Sequence, residues 1–160
     1  MKNPFEEQPA RSTFLTVLCV LTFIGSGLTV LSASFSLLTF NPETMVKQVE
    51  ATSMLMEEGG PWLKYALDSS VEVLLVTAEH GRAIYGFTLL FGLLSLAGAF
   101  EMFRSRRHGF FLYAFAQVAA LFVLPCYAGF SLIVTVSLFG AALLSALFIA
   151  LYAVNLKQMR

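Results

Sequence analysis

The side chains that could carry acid–base or metal chemistry are few and lie far apart in the chain. The two histidines are His80 and His108, and neither has a second histidine or a cysteine three or four residues away. Glu79 and His80 are neighbours, so their side chains diverge if the segment is helical. A zinc site needs three or four close ligands. The sequence therefore predicts no metal site and no bound cofactor.

Catalytic motifs are also missing, since the sequence contains no nucleophile elbow, Walker loop, HExxH or CxxC. We therefore predict no catalytic residue. Enzymatic activity is kept as the third of three functional hypotheses, in which Glu79 and His80 act as acid–base groups on a lipid or quinone.

Gln117 is the most strongly polar side chain that lies deep within a long apolar segment. One interpretation is an interhelical hydrogen bond worth about 1 kcal/mol, which polar side chains in membrane helices commonly form. The other is a contact to a substrate or cofactor, in a cleft that Gln117 would line together with Tyr113 and Tyr127. The first interpretation is the more common one, and both stay open at this point.

These residues must be positioned by an unusually apolar chain. Of the 160 residues, 58% are hydrophobic and 12% are charged, whereas soluble domains have about 45–50% apolar and about 25% charged residues. Four apolar blocks are each long enough to cross about 30 Å of hydrocarbon as a helix, and they lack the alternation of β-barrel strands. The sequence therefore predicts an all-α, polytopic bundle of four transmembrane helices at residues 14–38, 83–103, 109–128 and 132–156.

Basic residues predict the orientation of this bundle. One side combines a tail (1–13), a turn (104–108) with the neighbouring Glu101, and the chain end (157–160), and it carries a net charge of +4. The opposite side carries −4, all of it in segment 39–82. Because Lys and Arg favour cytoplasmic loops, both termini are predicted to be cytoplasmic. Three arginines of the turn could also bind lipid headgroups: Arg104, Arg106 and Arg107.

Segment 39–82 is too long for a simple connection. Asn41 and Pro42 suit a helix start, and Gly59-Gly60-Pro61 separates this helix from a second one. Both predicted helices are amphipathic, and the second either breaks near Gly81 or continues into the helix at 83–103. We predict an extracytoplasmic helical cap, which lies over the bundle or in the membrane interface. A short outer turn is predicted at 129–131.

Small residues mark two helices as candidates for close packing. The first helix contains Gly25 and Gly27, and the last contains Ser137, Ala141 and Ser145 at four-residue spacing. Small side chains let membrane helices approach closely, either within the bundle or against another subunit.

The two cysteines are predicted to be free thiols. Cys19 falls near the cytoplasmic end of its helix and Cys126 near the outer end of another, so their depths differ by about 15 Å or more at 1.5 Å per residue. A disulfide needs Cα atoms within about 7 Å of each other.

Several stretches resemble a group of small four-helix membrane proteins of Bacteroidota-type bacteria, which have no assigned activity. The stretches are 14–19 with 25–27, 77–80, 109–113 and 151–157. The resemblance implies a bacterial inner membrane and the same four-helix layout, and it transfers no functional residue.

Three hypotheses follow for the function. The first is an accessory or structural subunit of a larger inner-membrane assembly, which binds its partners through the small-residue faces and the cap. The second is an oligomeric lipid or small-molecule binding or transport protein, and the third is the membrane enzyme described above. The expected partners are membrane lipids and other subunits or further copies of this chain, with no role for nucleic acid.

Overall fold

The computed structural model describes residues 13–58, 60–104 and 106–155, and in these ranges the chain is almost entirely helical without strands. The tail at 1–12, the end at 156–160 and Ser105 of the turn lie outside the described residues. Five helices follow one another along the chain: α1 (Thr13–Thr39), α2 (Pro42–Glu58), α3 (Pro61–Phe103), α4 (His108–Ala128) and α5 (Leu132–Asn155).

Four of these helices, α1, α3, α4 and α5, are long and apolar enough to cross a membrane. The predicted all-α class and the four spanning helices are thereby confirmed. Large apolar side chains such as Leu31 and Phe35 of α1 are about two-thirds exposed, at 68% each. Contiguous exposure of this kind is rare in soluble monomers and is expected where lipid covers the helix. The protein is accordingly a multi-pass membrane protein.

Helix α3 is a single helix of 43 residues and does not break near Gly81. Gly81 is buried, and a Cβ atom added to it would overlap the ring of Phe40. The glycine thus permits a close approach of the α1–α2 connection and does not act as a hinge. At 1.5 Å per residue, α3 is about 65 Å long, roughly twice the thickness of the hydrocarbon core.

Helix α2 packs against α3, and we call this unit the α2–α3 hairpin (residues 42–58 and 61–82). The predicted start of α2 is confirmed, because the Asn41 side-chain oxygen accepts a hydrogen bond from the backbone N–H of Glu43 at 2.9 Å. A perpendicular span of the hydrocarbon would use only about half of the length of α3.

The tightest packing joins α3 to α4. A Cβ atom on Gly98 would lie 2.7 Å from the backbone nitrogen of Tyr113 and 2.9 Å from the carbonyl oxygen of Gly109. Gly109 faces the backbone of α3 just as closely, with the carbonyl oxygen of Gly98 2.6 Å from its own hypothetical Cβ. Glycine is required at both positions because the neighbouring atoms belong to the backbone and cannot move aside.

The hydrophobic core lies at the end of the bundle that carries the connection between α3 and α4, which we call the turn end. Six buried residues form it: Leu15, Leu18, Cys19, Met102, Tyr113 and Tyr152. Helix α5 joins this core through Tyr152, and its remaining buried residues are Val134 and Asn155, near its two ends. No residue of α5 between Val134 and Tyr152 is buried, so the middle of α5 packs loosely against the other helices.

Candidate ligand-binding cleft within the bundle

A cavity of about 340 Å³ lies between α1, α3, α4 and α5, where the middle of α5 packs loosely. Small-molecule sites in proteins commonly have volumes of about 300–1,000 Å³. Eight hydrogen-bonding side chains line the cavity, and every surrounding helix contributes at least one: Thr22, Ser26, Thr29, Thr88, Ser95, Tyr113, Gln117 and Ser145. Apolar walls complete it, among them Leu21, Phe91, Leu144 and Phe148.

A hydrogen-bond network links the four helices along this cavity. The Ser145 hydroxyl donates to Gln117 Oε1 at 3.2 Å, and Gln117 Nε2 donates to the Ser95 hydroxyl at 3.2 Å. Ser95 in turn shares a hydrogen bond of 2.9 Å with Ser26. The two interpretations of Gln117 therefore do not exclude each other, because its amide is hydrogen-bonded between helices and also lines a cavity.

Tyr113 lines the cavity on the side of the turn end, and Tyr152 packs against Tyr113. The rings of Tyr113 and Tyr152 pack edge to face with their centroids 5.3 Å apart. The Tyr152 hydroxyl shares a hydrogen bond of 2.8 Å with the hydroxyl of Thr22. All three side chains are at least 95% buried, so this tyrosine floor is fixed by packing and by hydrogen bonding.

The network lies near the middle of the membrane spans. Ser26 follows the start of α1 by 13 residues, or about 20 Å. Gln117 follows the start of α4 by 9 residues, or about 14 Å. Because the hydrocarbon is about 30 Å thick, these polar groups lie far from both membrane surfaces. None of the residues that line the cavity is acidic, basic or histidine.

A second cavity of about 240 Å³ lies between α4 and α5 and shares Gln117, Ala141 and Ser145 with the first. Ser137 also lines it. The small residues of α5 were expected to pack tightly, but the structure places Ser137, Ala141 and Ser145 beside open space. The buried contacts of α5 are instead made near its two ends.

The glycines of α1 also behave differently from the expectation of close packing. A Cβ atom on Gly25 or Gly27 would meet no atom within 4 Å. Gly25 borders the first cavity. The close approaches are made by Gly98 and Gly109, which the sequence analysis did not single out. Their sequence signal is that both lie close to the short turn between α3 and α4, so they can face each other across this helical hairpin.

Tyr127 was predicted to line the cleft with Gln117, and the walls of the two cavities described here do not include it. Tyr127 lies ten residues beyond Gln117, which corresponds to about 15 Å along the helix. Its ring packs near His80, with the centroids 5.5 Å apart. Glu79 and His80 are both exposed, with Oε2 and Nδ1 3.8 Å apart. Among the described residues, no three metal-ligating side chains come together.

The three arginines are exposed at the turn end. Glu101 forms an ion pair with Arg106 at 3.2 Å. The turn folds back so that the Arg106 backbone N–H also donates to the Glu101 carbonyl oxygen at 3.0 Å. Arg104 instead lies over the Phe100 ring, 5.8 Å from its centroid. Arg107 extends the same basic surface.

Neither cysteine forms a disulfide, as predicted: Cys19 is buried in the core and Cys126 is exposed near the far end of α4.

No protein family, curated protein or solved structure matches this chain.

Proposed function

We propose that this protein binds a small lipophilic molecule, taken from the bilayer, in the cleft between α1, α3, α4 and α5. The observation that carries the proposal is the cavity of about 340 Å³, which is bordered by a hydrogen-bond network at mid-membrane depth. Ligand sites are typically apolar concavities with a few well-placed polar groups, and this cleft has that composition.

A purely structural role for the polar network accounts for less of the geometry. Interhelical hydrogen bonds stabilise a bundle without any need for a cavity, and protein interiors are normally packed without large voids. In this protein the cavity is bordered by the polar network, as expected of a binding site. Helices α1 and α5 also make little contact, so the seam between them offers a lateral path from the lipid.

Filling the cleft is expected to abolish ligand binding. Ala141 lines both cavities, and in Ala141→Phe the ring would occupy the ligand volume. The amount of any compound that copurifies in mild detergent should fall by about tenfold or more, which corresponds to about 1.4 kcal/mol. Organic extraction and mass spectrometry of the purified protein measure this loss.

The matched control is Ala146→Phe, because Ala146 is exposed on the same helix and does not border either cavity. This variant should retain the wild-type amount of compound. Equal retention by both variants would contradict a ligand site in the cleft.

The second candidate function is an accessory subunit of a larger membrane assembly. It is favoured by the middle of α5, where Ser137 and Ala141 are exposed and a neighbouring helix could pack closely. Purification from native membranes separates the two candidates. A stoichiometric protein partner would favour the subunit, whereas a bound small molecule without a partner would favour the binding protein.

We further propose that the protein resides in the inner membrane of a bacterium, with both termini in the cytoplasm and the α2–α3 hairpin outside as a cap. The charge difference of +4 against −4 between the two sides supports this orientation. The acidic character of the hairpin also supports a cap that stands away from anionic lipid headgroups.

This orientation predicts that a membrane-impermeant maleimide added to intact spheroplasts labels Cys126. The residue is exposed near the end of α4 opposite the turn end, while Cys19 is fully buried. Mass spectrometry should find one label, and Cys126→Ser should abolish it. Labelling that appears only after the membrane is opened would reverse the proposed orientation.

A further inference from the structure

We infer that the cleft selects an uncharged lipid that carries a carbonyl or hydroxyl oxygen, positioned against Ser26, Gln117 and Ser145. This inference rests on the proposed function and names the chemical class of its ligand. It follows from the charge, the depth and the hydrogen-bonding capacity of the residues that line the cavity.

The absence of charge among the lining residues selects a neutral ligand. The walls consist of hydroxyl, amide, aromatic and aliphatic side chains. A phosphate or ammonium group placed there would lose its hydration without gaining an opposite charge, which is strongly unfavourable in a low-dielectric site. Phospholipid headgroups and charged solutes are therefore poor occupants.

The depth of the polar groups leads to the same class of ligand. Ser145 precedes the end of α5 by ten residues, or about 15 Å, and Ser26 and Gln117 lie at comparable depth. A ligand oxygen that reaches them must enter the middle of a hydrocarbon core about 30 Å thick. Neutral lipids with a weakly polar group can reach this depth, whereas headgroups remain at the interface.

The serine and glutamine side chains of the cleft can donate a hydrogen bond to a ligand oxygen or accept one from a ligand hydroxyl. A serine hydroxyl can both donate and accept, and the glutamine amide has two donor hydrogens and one acceptor oxygen. Ser145, Gln117 and Ser95 already form a chain of bonds of 3.2 Å, which is at the long end of the usual range. Turning one hydroxyl toward a ligand would therefore break only a weak hydrogen bond within the protein.

The apolar walls fit the remainder of such a molecule. Leu21, Phe91 and Leu144 border the cavity, and aromatic and aliphatic surfaces of this kind contact a hydrocarbon body or a flat ring. Because α1 and α5 make little contact, a hydrocarbon tail can extend through their seam into the surrounding lipid.

The test compares three probes that share a decyl chain: a decyl benzoquinone, decylbenzene and decyltrimethylammonium. Binding to the full chain in nanodiscs is measured by isothermal titration calorimetry. The quinone should bind about tenfold more tightly than decylbenzene, a ratio equivalent to one net hydrogen bond. The cationic probe should bind no better than decylbenzene.

Three substitutions in the cleft test whether it causes the tighter binding of the quinone. Gln117→Leu should weaken binding of the quinone about fivefold to tenfold and leave decylbenzene unchanged. Ser145→Ala removes one hydroxyl with little change in volume, and it provides the same test if Gln117→Leu fails to fold. Ala141→Phe should weaken the quinone and decylbenzene alike.

The opposing outcomes are distinct. If quinone and decylbenzene bind equally, or if the cation binds as tightly as the quinone, the inferred ligand class is wrong while a site in the cleft persists. If no probe binds in a manner sensitive to Ala141→Phe, the proposed binding function fails as well.

Discussion

Replacing Gly98 with leucine is expected to destabilise the bundle by about 3 kcal/mol or more, at the upper end of the usual cost of overpacking. The nearest atoms to a Cβ at this position are the backbone nitrogen and Cα of Tyr113 and the carbonyl oxygen of Gly109, all within 2.9 Å. These atoms belong to a neighbouring helix, so a larger side chain can be accommodated only if α3 and α4 separate.

Separation of α3 from α4 would also affect the cleft. Gln117 lies about one helical turn beyond Tyr113 on α4, and its amide bonds to Ser95 of α3 at 3.2 Å. If Gly98→Leu moves the helices apart, the same displacement lengthens this hydrogen bond. The variant should therefore lose ligand affinity together with stability.

Gly140→Leu is the matched control, because a Cβ at Gly140 of α5 would meet no atom within 4 Å. This control should be neutral or slightly stabilising, since leucine favours a helix more than glycine does. The free energy of unfolding of each variant is measured in mixed micelles by raising the proportion of a denaturing detergent. Equal stability of both proteins would contradict the α3–α4 packing described here.

The sequence predicted the spanning helices well because the requirement for crossing lipid can be evaluated along the sequence alone, without knowledge of tertiary contacts. A long apolar run must become a helix in order to satisfy its own backbone, so composition alone located all four spans. The continuity of α3 was harder to predict. Gly81 resembles a helix breaker in the sequence, and its role became visible only through its contact with Phe40.

The cleft could be predicted only in part, since a sequence does not specify how helices rotate and shift against each other. Gln117 was identified because a lone amide in an apolar run is conspicuous. Its partners Ser26, Ser95 and Ser145 resemble many other small polar residues in the chain, and only the packing of four helices brings them together.

The position of Tyr127 outside the two cavities has the same physical origin. Its distance from Gln117 along α4 was accessible from the sequence, but the position of the cavity along the bundle was not. Likewise, the small residues of α5 indicated a close approach, but Ser137, Ala141 and Ser145 line a cavity. Residue size shows where helices can approach each other, and only the complete set of contacts determines where they do.

The second large effect is expected at the tyrosine floor. Tyr152→Ala should destabilise the protein by about 3–5 kcal/mol, the usual cost of removing a buried aromatic side chain. Tyr152 has no exposed surface, packs edge to face on Tyr113 and shares a hydrogen bond with Thr22. Tyr152→Phe removes only the hydroxyl and should cost about 1 kcal/mol.

The comparison of these two variants separates packing from hydrogen bonding, and Val154→Ala serves as control because Val154 is 78% exposed. If the floor positions Tyr113 for the ligand, Tyr152→Ala should also weaken binding, whereas Tyr152→Phe should largely preserve it because the ring contact remains. If the alanine and phenylalanine variants lose equal stability, the contribution of Tyr152 to the free energy of unfolding comes from its hydroxyl and not from its ring. The cleft would then rest on the bond to Thr22, and Thr22→Val should reproduce the defect.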